Sequence, residues 1–279
     1  VSDIDNRGEV KLKITQSILK NMRDYIDGKE CGLLFKARYI DGRRFPSNKA
    51  QDLGNWFEYK CTGALNPYDP KVPEAKISYK GTPKEKLAAD YQRMEKQVEN
   101  FKEAIKHYNV EIISAGETLE FGKAKGTCDI IAKVDGELSI IDVKSTSLFN
   151  DKWSEFGWVD IANEYKPKLK LLTQALHYKY LAKNIYPHLE NVPFYFWVFS
   201  TKNENDFKII RIEVDEEDYW FHTKEIDNMH QLLMIELKKG FTAHPTIERC
   251  SKCPLKEECS EAMDVPKVET IYYSNQMFV

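Results

Sequence analysis

Residues 126–146 read "GTCDIIAKVDGELSIIDVKST", two apolar runs joined by an Asp-Gly turn signal at Asp135 and Gly136. An aspartate interrupts each run: Asp129 stands at the base of the first, and Asp142 breaks the second, with Lys144 two positions on. Hairpin geometry brings both carboxylates to one end of a sheet, and Lys144 shares the strand parity of Asp142. A carboxylate in a greasy strand costs too much to be left alone, so the chain either pairs it or uses it on a metal. One or two carboxylates are what a hard divalent cation such as Mg²⁺ takes from a protein, with water and substrate phosphate filling the other positions. A lysine beside them can orient or deprotonate an attacking water, or offset charge on a phosphate oxygen. The competing reading is an Asp–Lys pair on the surface of an edge strand, and the pattern alone does not separate the two.

Around this stretch the apolar periodicity predicts alternating helices and strands. Ile18, Leu19, Met22, Tyr25 and Ile26 fall at helical spacing, and a second apolar turn follows at Leu33, Leu34 and Phe35. "LGNWFEYK" reads as a short helix. From Lys84 to Tyr108 the positions Leu87, Tyr91, Met94, Val98, Phe101, Ile105 and Tyr108 recur four and three apart, the clearest amphipathic helix in the chain. "VEIISA" and "ETLEFG" read as strands, then come the opening pair, a helix carrying Leu169, Leu172, Leu176, Tyr180 and Leu181, and the strands "VPFYFWVFS" and "DFKIIRIEV". A last long helix starts at a cap on Asp215 and stops at Gly240. This order predicts an α/β fold, a mixed sheet flanked by helices.

The chain has 279 residues and 42% hydrophobic content, enough for one large core. Its organisation is read as one domain over 1–279, with a helical segment over 1–60, a core over 84–240 and a cysteine-bearing segment and tail over 241–279. A formal charge of −3 argues against a protein that coats nucleic acid by bulk electrostatics, though not against one that holds a polyanion in a local groove. No apolar run is long enough to cross a membrane and no secretion signal is present, so the chain is read as soluble and cytoplasmic, with no membrane partner.

Gly126, Asp129, Asp142 and Lys144 resemble the core of the PD-(D/E)xK nuclease superfamily, in particular its RecB-like exonuclease branch, where Gly-x-x-Asp is followed by an apolar strand ending in Asp-x-Lys. That branch carries a downstream helical QxxxY, and "QALHY" supplies Gln174 and Tyr178, four apart and so on one helix face. It also places an acidic or histidine ligand on a helix before the sheet, matched by Glu58 four residues after Gly54. The resemblance implies a restriction-endonuclease-like core.

Three of the six cysteines, Cys250, Cys253 and Cys259, form a C-x2-C-x5-C cluster whose spacing reads as a metal site one ligand short. Cys31 near the other terminus is the matching fourth ligand in the iron–sulfur subset of RecB-like nucleases, which includes AddB-type subunits and CRISPR-adaptation exonucleases. Ser17, Cys31, Phe35 and Tyr39 are similar to that subset's opening segment. In it a [4Fe-4S] cluster staples the termini beside the core, and Zn²⁺ is the alternative for an all-thiolate set. Cys61 and Cys128 lack sequence partners and are taken as structural.

Together these matches imply a metal-dependent DNA exonuclease. Asp129 and Asp142 would hold Mg²⁺ or Mn²⁺, with Glu58 and the Val143 carbonyl as further ligands. Lys144 would act on the water, and Gln174 and Tyr178 would hold the lysine or the strand. Lys166, Lys168, Lys170 and Lys179 are candidates for phosphate contacts. DNA is the implied substrate in recombination, repair or CRISPR adaptation. No GxxxxGK[ST] motif is present, so unwinding would need a helicase or recombination partner, and a homo-oligomer is a further candidate assembly. The alternative is an inactive nuclease-fold subunit that binds DNA or acts as a scaffold.

Overall fold

The hairpin of residues 126–146 occupies the middle of a five-stranded sheet. The structure is a computed structural model and describes residues 3–4, 10–65, 70–78, 86–154, 156–158, 169–189 and 191–264. In chain order the elements are β1 (Asp3–Ile4), β2 (Val10–Lys11), α1 (Gln16–Ile26), α2 (Gly32–Tyr39), α3 (Lys49–Thr62), β3 (Ile77–Ser78), β4 (Lys86–Leu87), α4 (Ala89–His107), β5 (Val110–Phe121), β6 (Ala124–Val134), β7 (Glu137–Thr146), α5 (Leu169–Ile185), β8 (Phe194–Ser200), β9 (Phe207–Ile212), α6 (Glu216–Lys239) and α7 (Ile247–Ser251), followed by a 3₁₀ turn at Lys256–Glu258.

Strand order in the main sheet is β5-β6-β7-β8-β9. All neighbours run antiparallel except β7 and β8, whose parallel pairing requires the crossover that α5 supplies. Strands buried on both faces read as unbroken apolar runs, and "FYFWVFS" of β8 is one. On one face Ile130, Ile141, Val143, Trp197 and Phe199 pack against Leu53, Trp56 and Phe57 of α3 and Tyr91, Met94 and Phe101 of α4. On the other, Ile131, Ile140, Phe194, Phe196 and Val198 meet α1, α5 and α6 through Leu19, Met22, Ala175, Leu181, Ile226 and Leu233. The result is a mixed sheet flanked by helices, the α/β, restriction-endonuclease-like arrangement expected from the sequence.

Local signals account for the element ends. Asn48 and Gln51 form a reciprocal capping box at the start of α3. Asp215 accepts the Asp218 N–H at 2.7 Å to open α6, and Gly240, at φ 85°, closes it. Two expectations are revised. The two strands expected over 110–122 are one, because the chain runs on through Gly116, φ 68°, in a strand whose register shifts between Ile112 and Ser114. The helix expected from Lys84 begins at Ala89, because Leu87 pairs with Ile77 in a short antiparallel ladder.

The terminal segments are knitted together. Gly32 donates to the Thr242 carbonyl at 3.1 Å, Thr242 donates to the Tyr25 hydroxyl at 3.2 Å, and the Tyr25 ring stacks on His244 at 5.2 Å. Leu34, Ala37 and Leu255 form a small separate core flanked by Cys31, Cys253 and Phe45.

Candidate active site

The β6–β7 ladder runs from Val134 opposite Glu137 to Ile130 opposite Ile141 and then stops. Immediately past that last pair, the Asp129 side chain takes the place of a backbone partner: its Oδ2 accepts the Val143 N–H at 2.8 Å. Asp142 lies one step further along β7 and is 1% exposed, so it is no surface residue, and β7 is no edge strand. Gln174 of α5 donates through Nε2 to Asp142 Oδ1. Lys144 Nζ lies 2.5 Å from Asp142 Oδ2 and 3.9 Å from Asp129 Oδ2. The closer contact pairs the ammonium with Asp142 Oδ2, a buried oxygen with no other hydrogen-bond partner among the described residues.

Helix α5 reaches this junction because β6 presents no side chain at Gly126. A Cβ there would stand 2.7 Å from Tyr178 Cε1 and 3.1 Å from Leu181 Cδ1. With that space free, the Tyr178 hydroxyl donates to the Thr127 carbonyl, two residues before Asp129. Tyr178 thus fixes the helix to the strand while Gln174, one turn earlier, reaches the carboxylate. The Val143 N–H and the Thr127 carbonyl take part through the backbone, which no residue letter announces.

The electrostatics follow from crowding acids in a buried place. Burial pushes the Asp142 carboxyl well above its usual range, Lys144 opposes that rise, and Asp129 adds to it. Burial also raises Asp129, against Lys144 and the Val143 N–H. Glu58, on α3 across the sheet, is pushed up to about 7 by burial and then by the Asp129 charge, with Lys144 acting in the other direction. Burial works against the Lys144 ammonium, yet Asp142, Asp129 and Glu58 together hold its pKa above the ordinary lysine value.

Two neighbouring carboxylates, with one oxygen of Asp142 held by the Lys144 ammonium alone, fit a divalent cation with one or two protein ligands. Among the described residues, no three His, Cys, Asp or Glu side chains converge closely enough to hold a metal ion. Glu58 stands close enough to these aspartates for the Asp129 charge to raise its carboxyl. Cys31 caps α2, Cys250 lies in α7 and Cys259 follows the 3₁₀ turn. Cys253 is raised by burial and then by the proximity of Cys31, Cys250 and Cys259, so the four thiols are neighbours. Cys61 and Cys128 stand apart in the sequence from that cluster; Cys128 is buried, and burial raises both thiols.

The lysines divide. Lys166 and Lys168 lie outside the described residues, and Lys170 sits in the first turn of α5. Lys179 is buried, donates to Asn191 at 3.0 Å, has its pKa lowered by burial, and lines a cleft with Lys183 and Glu216.

A family model described as the PD-(D/E)XK nuclease superfamily matches residues 62–260. No curated protein matches the chain. Among solved structures, a candidate exonuclease from Eubacterium rectale is 17% identical, with 92% of this chain and 91% of that chain covered at a TM-score of 0.62, a likeness of fold. An alkaline exonuclease from Laribacter hongkongensis is 11% identical over 81% of this chain and 90% of that chain, with a TM-score of 0.45.

Proposed function

The chain belongs to the PD-(D/E)XK nuclease superfamily, and from that premise we propose that it is a Mg²⁺- or Mn²⁺-dependent DNA exonuclease that hydrolyses phosphodiester bonds. The observation that carries this reading is the junction at which Gln174 and Lys144 both address Asp142 beside Asp129. A scaffold has no use for two aspartates and a lysine that are this costly to bury together.

Asp129 and Asp142 would hold the ion, with Glu58 and the Val143 carbonyl as further ligands. The ion supplies Lewis-acid charge beside the scissile phosphate. The chain's own groups do the rest. Gln174 fixes one oxygen of Asp142, so the carboxylate cannot rotate, and the Val143 N–H fixes one oxygen of Asp129. Lys144 is kept protonated by its acidic neighbours, which suits it to orient the attacking water and to donate to a phosphate oxygen in the transition state rather than to serve as a free base. Tyr178 positions α5 and touches no reacting atom. Lys170 is a candidate phosphate contact, as are Lys166 and Lys168.

We further assign Cys31, Cys250, Cys253 and Cys259 to a [4Fe-4S] cluster, with Zn²⁺ as the alternative. Support comes from the all-thiolate donor set and from the clustering of the four thiols where the terminal segments meet. A brown purified protein carrying iron supports the cluster, and a colourless one carrying zinc overturns it. The setting we propose is recombination, repair or CRISPR adaptation, with a helicase or recombination partner and a homo-oligomer as candidate assemblies.

The test is incubation with end-labelled linear and circular DNA, with Mg²⁺ or Mn²⁺ and with or without chelator. Loss of label from linear DNA only, blocked by chelator, is expected. Cleavage of both forms would make the protein an endonuclease, and intact DNA in every tube would overturn the reading.

A further inference from the structure

We propose that the loop after β7 is a stacking platform, with Trp153 at its tip receiving an unpaired base of single-stranded DNA next to the active site. This deepens the nuclease reading and rests on it for the substrate class. Trp153 is 88% exposed, the most exposed large hydrophobic side chain among the described residues, and its large flat ring is available for stacking.

The loop holds that indole out by construction. Leu148 donates to Thr146 Oγ1 at 3.0 Å as the chain leaves β7, and the Leu148 carbonyl accepts from Asp151 at 3.1 Å and from Trp158 at 3.3 Å, closing the loop on itself. Its two feet, Phe149 and Trp158, are buried. Lys208 of β9 ties them together, donating to both their carbonyls at 3.2 Å. Asp151 Oδ1 accepts from Trp153 at 2.8 Å and Ser154 at 3.0 Å, turning the tip outward. A loop anchored this way has already lost the conformational freedom that binding would otherwise cost.

Its position ties it to the chemistry. The loop leaves the carboxyl end of the strand that carries Asp142 and Lys144. The Trp158 ring packs edge-on at 5.1 Å against Phe196, the β8 residue directly opposite Asp142 in the parallel ladder. Ammonium groups stand at both rings, with the Asp151 carboxylate turned to the tip backbone: Lys152 Nζ lies 5.0 Å from the Trp153 ring centroid, and Lys20 of α1 lies 5.2 Å from the ring of Phe156, itself 39% exposed. Aromatic faces beside ammonium groups are what a single strand needs, since every base offers a π-face and every link a phosphate. A paired blunt end keeps its bases stacked on one another and gains much less.

The experiment measures anisotropy of fluorescein-labelled oligothymidylate, about twelve nucleotides long, and of a blunt duplex, both in EDTA so that nothing is cut. Trp153→Ala should weaken oligothymidylate binding about tenfold or more and duplex binding less than about twofold, with Trp153→Phe retaining most of the affinity. Oligothymidylate should quench tryptophan emission in the wild type and quench it less in Trp153→Phe. Unchanged oligothymidylate affinity in Trp153→Ala, an equal loss on both DNAs, or a quench that persists undiminished in Trp153→Phe would overturn the proposal; tryptophan-dependent capture of a protein with no DNA effect would do so too. Because these readouts need no cleavage, a protein that binds through Trp153 but cuts nothing would sink the nuclease reading alone. One that cuts normally and binds without Trp153 would sink the platform alone.

Discussion

Asp142 could not keep its charge in the middle of a sheet without help, and its neighbours are the ones that also make it useful. An isolated carboxylate there would take up a proton instead. Lys144 and Gln174 oppose that, while Asp129 pushes the other way, and burial leaves the Asp142 carboxyl well above its usual range. Replacing Asp142 with Asn keeps an oxygen for Gln174 and removes one of two like charges. We expect cleavage to fall at least about a thousandfold, the loss of a few kcal/mol of transition-state stabilisation. DNA binding should persist and the thermal midpoint in EDTA should stay within a few degrees of wild type; a variant that still cuts would show that Asp142 is not catalytic. Lys144→Met should lower kcat about 10²- to 10⁴-fold in a single-turnover assay with little change in DNA affinity. At this scale the sequence was legible wherever a charge broke an apolar run, as at Asp129, Asp142 and Lys144. It was silent wherever the partner was backbone, as at the Val143 N–H.

Between elements, the docking of α5 on β6 decides whether the site exists at all. Gly126→Ala would put a methyl 2.7 Å from the Tyr178 ring and lift the helix that carries Gln174. Overpacking of this kind costs about 1–3 kcal/mol, and kcat should fall further than that stability loss explains, because Gln174 leaves Asp142. Melting temperature and kcat measured on the same sample check this; a melting temperature that drops while kcat holds would show that Gln174 does not matter. The same helix carries a pH-dependent weak point. His177 is fully buried, shares a hydrogen bond of 3.0 Å with the Lys125 carbonyl, and has its pKa lowered to about 4, first by burial and partly offset by that bond. The unfolded chain takes up this proton more readily than the folded one, so the stabilising contribution is complete above pH ~6.5 and is lost as pH falls toward 4, about 3 kcal/mol in all. Urea midpoints of the wild type should fall across that window, and those of His177→Gln should fall less. Helical periodicity made α4 and α6 readable, whereas the continuity of β5 through Gly116 was hidden, because a glycine punctuates a sequence equally well at a turn or at an irregularity inside a strand.

Across the whole molecule, the unresolved question for a sequence reader is how a cysteine at position 31 could meet three beyond position 249, and the answer lies in close backbone approach. A Cβ on Gly32 would stand 2.3 Å from the Thr242 carbonyl oxygen and 2.6 Å from Tyr25 Cε2, so only glycine lets the segment after α6 lie across the start of α2. Arg249 extends the contact to the Gly28 carbonyl at 2.8 Å, and Arg43 pairs with Glu258 at 2.7 Å. The surface ion pair contributes little by itself; the tight backbone seam sets the distance between Cys31 and the late cysteines. Gly32→Ala therefore should open that seam at a cost of about 1–3 kcal/mol, and if the four thiols share a cluster, bound iron should fall with it. Iron per chain, visible absorption and melting temperature measured together separate the causes. Loss of iron in both Gly32→Ala and Cys253→Ser, with a larger drop in melting temperature on removing iron from the wild type than from either variant, is the expected result. Full iron in Gly32→Ala despite a lower melting temperature would mean that the late cysteines do not depend on Cys31 being brought to them.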